Sequence, residues 1–179
     1  MSRRRRSLVF LSVLGVLPLV GGAARPARAG PDAGPRLHTP DGVARRGQDG
    51  LTADRLEYDF GSVRIDEGKV TARFGVKNSA AGVARLTEVY TSCMCTTVRL
   101  EFADSRVAGP FGMRGHDLPT TLARTLKPGE EFVALVTFDP AAHGPAGVGP
   151  VVRQVLLQTA ERGRLLLTLR ANVLPPKRH

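Results

Sequence analysis

Short segments in which apolar and polar residues alternate constrain the fold of this chain more than any other feature. From Val70 to Val76 every second residue is apolar and the residues between are Thr, Arg and Gly. Period two places successive side chains on opposite faces of a β-strand. Comparable segments lie at 56–60, 86–100, 132–138, 151–159 and 165–173. Six or seven short strands in ~120 residues predict an all-β fold, an immunoglobulin-like antiparallel β-sandwich of about seven strands.

Residues 101–126 interrupt this regular pattern. Gly109-Pro110, Gly112, Gly115 and Pro119 are turn-forming residues that break a strand. We expect a long loop here, with a short strand near 121–125. The segment 86–100 is expected to be one long strand, bent or bulged near Glu88.

The first 29 residues have the organisation of a secretory signal peptide. Arg3–Arg6 precede the uncharged segment Leu8–Val20, and Ala27-Arg28-Ala29 provides a cleavage site between Ala29 and Gly30. The apolar segment is shorter than the ~20 residues of a membrane span, so no stable span is expected after cleavage. Arg5-Arg6 followed by Ser-Leu-Val is similar to a twin-arginine export signal. The mature protein is therefore expected to be periplasmic or secreted.

The predicted domain is flanked by two segments of different composition. Eight of the 25 residues in 30–54 are Gly or Pro and large apolar residues are almost absent, which predicts a disordered linker. The β-sandwich domain is expected over 55–174, and 175–179 form a short basic tail. Without the six arginines of residues 1–29, 20 basic and 16 acidic side chains remain, a balance of +4. This mild charge and the scarcity of aromatic residues argue against nucleic-acid binding.

Both cysteines lie in one short motif, Ser92-Cys93-Met94-Cys95-Thr96. In a strand Cys93 and Cys95 would share a face and Met94 would point away. A disulfide between them requires a bend, because two extended residues span ~6.6 Å between Cα atoms and disulfides favour about 4.4–6.8 Å. Such a bond would close a very small ring and would be readily reduced, which is typical of a redox device.

Other interpretations of Cys93 and Cys95 remain open. Two thiolates suit Cu(I) or Zn(II), and His116 or His143 could complete a metal site if the fold brings them close. A catalytic thiol lacks a recognisable Cys-His-Asn signature, and both cysteines could simply be small core residues. No catalytic residue is predicted, and no cofactor is expected beyond copper as the metal candidate. Asp139 with His143 could bind a cation, although a turn cap explains Asp139 equally well.

Several motifs, in this order, resemble one protein family. They are Asp59-Phe60-Gly61, Phe74-Gly75-Val76-Lys77-Asn78, Ser92-Cys93-Met94-Cys95-Thr96, Leu126-Lys127-Pro128-Gly129-Glu130, Val136-Thr137-Phe138-Asp139 and Ala171-Asn172-Val173. Over residues 56–174 the chain is similar to the bacterial domain of unknown function 1573 family, an exported immunoglobulin-like module of the hydin type. The resemblance implies this fold and export, and it implies no activity. Met94 stands where the family commonly has Gly, and 101–124 is longer than usual.

These observations predict an exported, non-enzymatic module that binds a protein partner or has a structural role in the bacterial cell envelope. A partner chain could pair with an exposed strand edge. The alternative is a dithiol site at Cys93 and Cys95 that binds copper or exchanges electrons.

Overall fold

The computed structural model describes residues 45–46 and 50–177. Within this part of the chain, eleven β-strands and two 3-10 turns, 65–67 and 144–147, account for the regular structure. The strands are β1 Arg45–Arg46, β2 Leu51–Ala53, β3 Glu57–Arg64, β4 Val70–Asn78, β5 Ala84–Thr91, β6 Thr96–Phe102, β7 Val107–Phe111, β8 Thr121–Leu126, β9 Glu131–Phe138, β10 Gly149–Thr159 and β11 Arg164–Leu174.

The strands form two sheets. The first sheet has the order β1-β2-β4-β9-β6-β7 and the second has the order β3-β11-β10-β5-β8. All pairs are antiparallel except β3, which runs parallel to β11. The prediction of an all-β, immunoglobulin-like sandwich is confirmed. Among the described residues, no helix has the length and apolar character needed to cross a membrane.

The core lies between the two sheets, and β4, β9 and β11 contribute alternate residues to it. In β4, Ala72, Phe74 and Val76 are buried while Thr71 and Arg73 are exposed. In β11 the buried residues are Leu165, Leu167, Leu169, Ala171 and Val173. Full burial of a Val, Leu or Phe side chain contributes roughly 1.5–3 kcal/mol. The alternation read from the sequence therefore identifies the inward face of these strands correctly.

The expected long strand over 86–100 is wrong, because two strands in different sheets occupy that segment. β5 ends at Thr91 in the second sheet, and β6 begins at Thr96 in the first. Val89 and Val98 are both fully buried. The buried positions change phase at the crossing, from Thr91, Cys93 and Cys95 to Thr96, Val98 and Leu100. The change falls on cysteine and threonine, which are small residues that do not mark a buried face clearly in the sequence. The irregularity expected near Glu88 is present as a register shift between Leu86 and Glu88.

Two other boundaries differ from the sequence prediction. In the segment 101–126, β8 confirms the short strand expected near 121–125, but β7, paired with β6, occupies part of the expected loop. The linker prediction also extends too far, since β2 pairs with β4 and Leu51 is fully buried. A single large apolar residue in a three-residue strand is a weak sequence signal. The signal peptide, its cleavage site at Ala29 and Gly30, and residues 30–44 lie outside the described residues.

Candidate functional site

The cysteine motif forms the turn by which the chain passes from β5 to β6. The turn is closed by the Thr96 N–H, which donates to the Cys93 carbonyl at 3.1 Å. The buried Thr91 hydroxyl donates to the carbonyls of Cys93, at 2.9 Å, and Thr96, at 3.1 Å. One hydroxyl group thus holds both ends of the turn.

Neighbouring strands fix the outer side of this turn. The Ser92 N–H donates to the Gln154 carbonyl at 2.9 Å, and the Gln154 N–H donates to the Ser92 hydroxyl at 2.9 Å. The Asp139 N–H, at the end of β9, donates to the Cys95 carbonyl at 2.8 Å. The turn is therefore attached to one strand of each sheet, and its backbone is held in place independently of the cysteine side chains.

A disulfide joins Cys93 and Cys95 across this turn. Their Cα atoms lie 5.2 Å apart, less than the ~6.6 Å of an extended strand. The turn supplies the bend that the sequence argument requires. Met94 is 56% exposed and points away from the core. Among the described non-glycine residues only Ser105 and Arg162 have positive φ, so the turn does not require glycine at Met94.

His143 lies against the first of the two sulfur atoms. Its Nε2 is 3.1 Å from Cys93 Sγ. The imidazole is carried by the turn after β9, where the Ala141 N–H donates to Asp139 Oδ1 at 2.9 Å and the Gly144 N–H donates to the Ala141 carbonyl at 2.9 Å. The ring is exposed on its outer side.

The structure corrects the pairing of Asp139 with His143 as a cation site. Asp139 caps its own turn, and its other carboxylate oxygen lies 3.5 Å from Lys69 Nζ. His143 is directed to the disulfide instead. His116, the other histidine considered for a metal site, is not part of the Cys93–Cys95–His143 group. His38 and His179 lie outside the described residues.

Arg153 contacts the second sulfur atom, and the sequence analysis does not identify it. Its Nε donates to Cys95 Sγ at 3.1 Å, and its Nη1 donates to the Val152 carbonyl at 2.9 Å. Arg153 lies on β10, 58 residues from Cys95. No local pattern distinguishes it from the other arginines of the chain, because only the pairing of β10 with β5 brings it to the turn.

The assembled site has a different neighbour on each sulfur. Cys93 is 9% exposed and faces an imidazole, whereas Cys95 is 2% exposed and faces a guanidinium group. The Thr96 hydroxyl is 3.6 Å from Cys95 Sγ, and the Cys95 N–H donates to Cys93 Sγ at 3.2 Å. A cation and hydrogen-bond donors beside a sulfur favour its thiolate form. The site therefore has the groups needed to stabilise a sulfur anion, together with an imidazole and a disulfide whose reduction would supply two thiols as metal ligands.

Three solved structures resemble this chain at low sequence identity. No family model matches the chain, and no curated protein matches it. A protein of unknown function from Porphyromonas gingivalis W83 is 17% identical, with a TM-score of 0.49 over 75% of this chain and 51% of its own. The secreted serine protease VesC from Vibrio cholerae is 13% identical, with a TM-score of 0.45 over 73% of this chain and 24% of its own. The PapD-like domain 7 of human CEP192 is 10% identical, with a TM-score of 0.44 over 82% of this chain and 100% of its own. The chain spans about half of the first of these proteins and a quarter of the second.

Proposed function

We propose that the Cys93–Cys95 pair undergoes reversible thiol–disulfide exchange with a partner dithiol. The observation that supports this most strongly is the contact between Arg153 Nε and Cys95 Sγ at 3.1 Å. Exchange proceeds through a thiolate leaving group, and a fixed guanidinium beside that sulfur stabilises the developing negative charge. A disulfide with a purely structural role does not require such a cation.

The direction of attack follows from the burial of the two sulfurs. An incoming thiolate attacks Cys93 Sγ, which belongs to the more exposed of the two residues, and forms a mixed disulfide with it. The Cys93–Cys95 bond breaks, and its electron pair leaves with Cys95 Sγ beside Arg153. The second thiol of the partner then attacks the mixed disulfide and releases Cys93. In sum, the partner dithiol is oxidised to a disulfide by two electrons, and its two protons pass to Cys93 and Cys95.

The small ring argues against a role as a structural staple. The cysteines are two residues apart. In the chain-entropy description, a closed loop of about three residues contributes at most about 2 kcal/mol. The core and the hydrogen bonds of the turn hold this region without the disulfide, so the pair can be reduced while the domain remains folded.

The test is the equilibrium reduction potential of the folded protein in defined thiol–disulfide buffers, measured by alkylation and mass spectrometry. Arg153→Gln removes the charge beside Cys95 and should disfavour the reduced form. A tenfold decrease in the equilibrium constant for reduction of the disulfide would lower its reduction potential by about 30 mV. Arg164→Gln, an exposed arginine at the start of β11, is the matched control. Equal potentials for wild type and Arg153→Gln, or a disulfide that is reduced only on unfolding, would contradict the proposal.

The cellular setting that we propose follows from the sequence. We propose that residues 1–29 direct export and are removed before Gly30. The mature protein is then periplasmic or secreted. We also propose that it belongs to the domain of unknown function 1573 family. Exchange with a stoichiometric partner does not make the chain an enzyme. Mass spectrometry of the protein purified from its source should find an N-terminus near Gly30, and intact residues 1–29 would contradict export.

A second candidate function is the binding of an extended partner segment at β8. This strand is outermost in the second sheet, contains no proline and exposes alternate residues Thr121, Ala123 and Thr125. Of the other edge strands, β1 has only two described residues and β7 contains Pro110, whereas β3 pairs with its neighbour across a register shift, as β8 also does. Unprotected edges are the ones to which partner strands can add.

Proline substitution tests the β8 candidate. Ala123→Pro should abolish recovery of a stoichiometric partner from envelope extract, whereas Ala108→Pro in β7 should not. Unfolding midpoints of both variants establish that each is folded. If both variants lose the partner equally, or if neither does, β8 is not the binding edge.

A further inference from the structure

We infer that, once reduced, this site binds one Cu(I) ion through Cys93 Sγ, Cys95 Sγ and His143 Nε2. The inference rests on the proposed reducibility of the disulfide and adds a ligand class to the same site. The three ligand atoms lie within 4.8 Å of one another. The turn hydrogen bonds already hold the two cysteines, so reduction frees the ligand atoms without displacing the backbone that carries them.

Two features favour Cu(I) over Zn(II), and the first is the number of ligands. Thiolates suit both ions, but structural zinc sites almost always take four protein ligands. Among the described residues no fourth His, Cys, Asp or Glu joins the group. The Met94 sulfur cannot complete it in this conformation, because that side chain is 56% exposed and points away.

The charge beside the site gives the second reason. Two thiolates and a neutral imidazole make a Cu(I) complex with one negative charge, whereas the same ligands make a Zn(II) complex neutral. The Arg153 guanidinium at Cys95 Sγ therefore offsets a net charge only when Cu(I) is bound. The nearby Thr96 hydroxyl also orients toward the Cys95 sulfur, and groups that contact the ligands in this way strengthen metal binding.

The experiment is a competition titration of the fully reduced, mature protein under anaerobic conditions. Alkylation of a sample confirms two free thiols, the reductant is removed, and Cu(I) is offered as its complex with a chromogenic chelator. We expect one Cu(I) per chain, and Cu X-ray absorption showing sulfur and nitrogen scatterers. His143→Gln should weaken binding by at least tenfold, in line with the effects of ~10–100-fold found when groups that support metal ligands are changed. His116→Gln, the loop histidine outside the group, should leave the affinity unchanged.

The possible results separate this inference from the proposed function. If the disulfide exchanges reversibly but the reduced protein takes up no Cu(I), the inference fails and the exchange function stands. If the disulfide cannot be reduced in the folded protein, both fail. Equal Cu(I) affinity for wild type and His143→Gln, or tighter binding of Zn(II) than of Cu(I) in parallel competition, would overturn the three-ligand Cu(I) site.

Discussion

At the scale of single residues, Arg124 shows how this small domain accommodates a partly buried charge. Its Nη1 donates to Asp104 Oδ2 at 2.9 Å, its Nη2 donates to Glu130 Oε1 at 2.8 Å, and its guanidinium lies 4.4 Å from the centroid of the Phe102 ring. The Lys127 N–H also donates to Glu130 Oε2 at 2.9 Å. Arg124 thus ties β8 to the turn between β6 and β7 and to the turn between β8 and β9.

These contacts predict that Glu130 makes a pH-dependent contribution to the free energy of unfolding. The Lys127 backbone N–H, and then Arg124, lower the pKa of the Glu130 carboxyl below its usual 4.5. A depressed folded-state pKa gives stability that is present above the unfolded pKa and is lost as the pH falls through the folded pKa. Glu130→Gln should therefore destabilise the protein by roughly 0.5–1.5 kcal/mol at pH 7, and this difference should shrink below about pH 4.5.

Denaturant unfolding at several pH values measures this difference. Glu131→Gln is the matched control, since Glu131 is 67% exposed and pairs only with Lys77. Its effect should be smaller at pH 7. A deficit for Glu130→Gln that persists unchanged in acid would show that the carboxylate charge is not the cause.

At the scale of elements, the edges of the two sheets are shaped by individual backbone conformations. Gly109 in β7 has a φ of +97°, and a Cβ built there would lie 2.8 Å from the Val98 carbonyl oxygen. The register between β6 and β7 shifts between Val98 and Leu100. A glycine is required at this shift because the backbone of β6 approaches too closely for a side chain, and this irregularity also makes β7 a poor template for another strand.

Gly109→Ala should destabilise the protein by about 1–3 kcal/mol, because alanine must adopt a left-handed φ against a neighbouring carbonyl group. Gly82→Ala is the control, since no atom lies within 4 Å of its Cβ position and its φ is not positive. Thermal or denaturant unfolding measures both variants. If Gly109→Ala and Gly82→Ala were equally stable, β7 would be able to accommodate the alanine side chain without a loss of stability.

At the scale of the whole molecule, we expect the stability of the sandwich to depend on its core more than on its disulfide. Leu157 on β10 is fully buried, whereas Leu166 on the neighbouring strand is 44% exposed. Leu157→Ala should lower the free energy of unfolding by about 2–5 kcal/mol. Leu166→Ala should change it by only about 0.5 kcal/mol.

The double variant Cys93→Ala/Cys95→Ala tests whether the domain needs its disulfide to fold. It should remain folded and lose less stability than Leu157→Ala, because the closed loop is very short. Denaturant unfolding of the three variants gives the order. A double variant that fails to fold would show that the disulfide is a structural requirement.

The fold class was accessible from the sequence because period-two alternation is a local property. The apolar residues within a strand indicate which of its faces is buried, as Phe74 and Leu167 illustrate. β2 was not predicted because it is only three residues long and contains one large apolar residue. The crossing at 92–95 was not predicted because the change in the buried face falls on Cys95 and Thr96, small residues that mark a buried face only weakly in the sequence.

The candidate site divides in the same way. The sequence by itself determined that two cysteines stand two residues apart between β-forming segments, since that is a covalent fact. Only the tertiary structure decided that the chain bends there, that His143 reaches Cys93 and that Arg153 reaches Cys95. These contacts span 50 and 58 residues. They depend on how β9 and β10 lie beside β5 and β6, and strand pairing at that distance leaves no mark on the local pattern of residues.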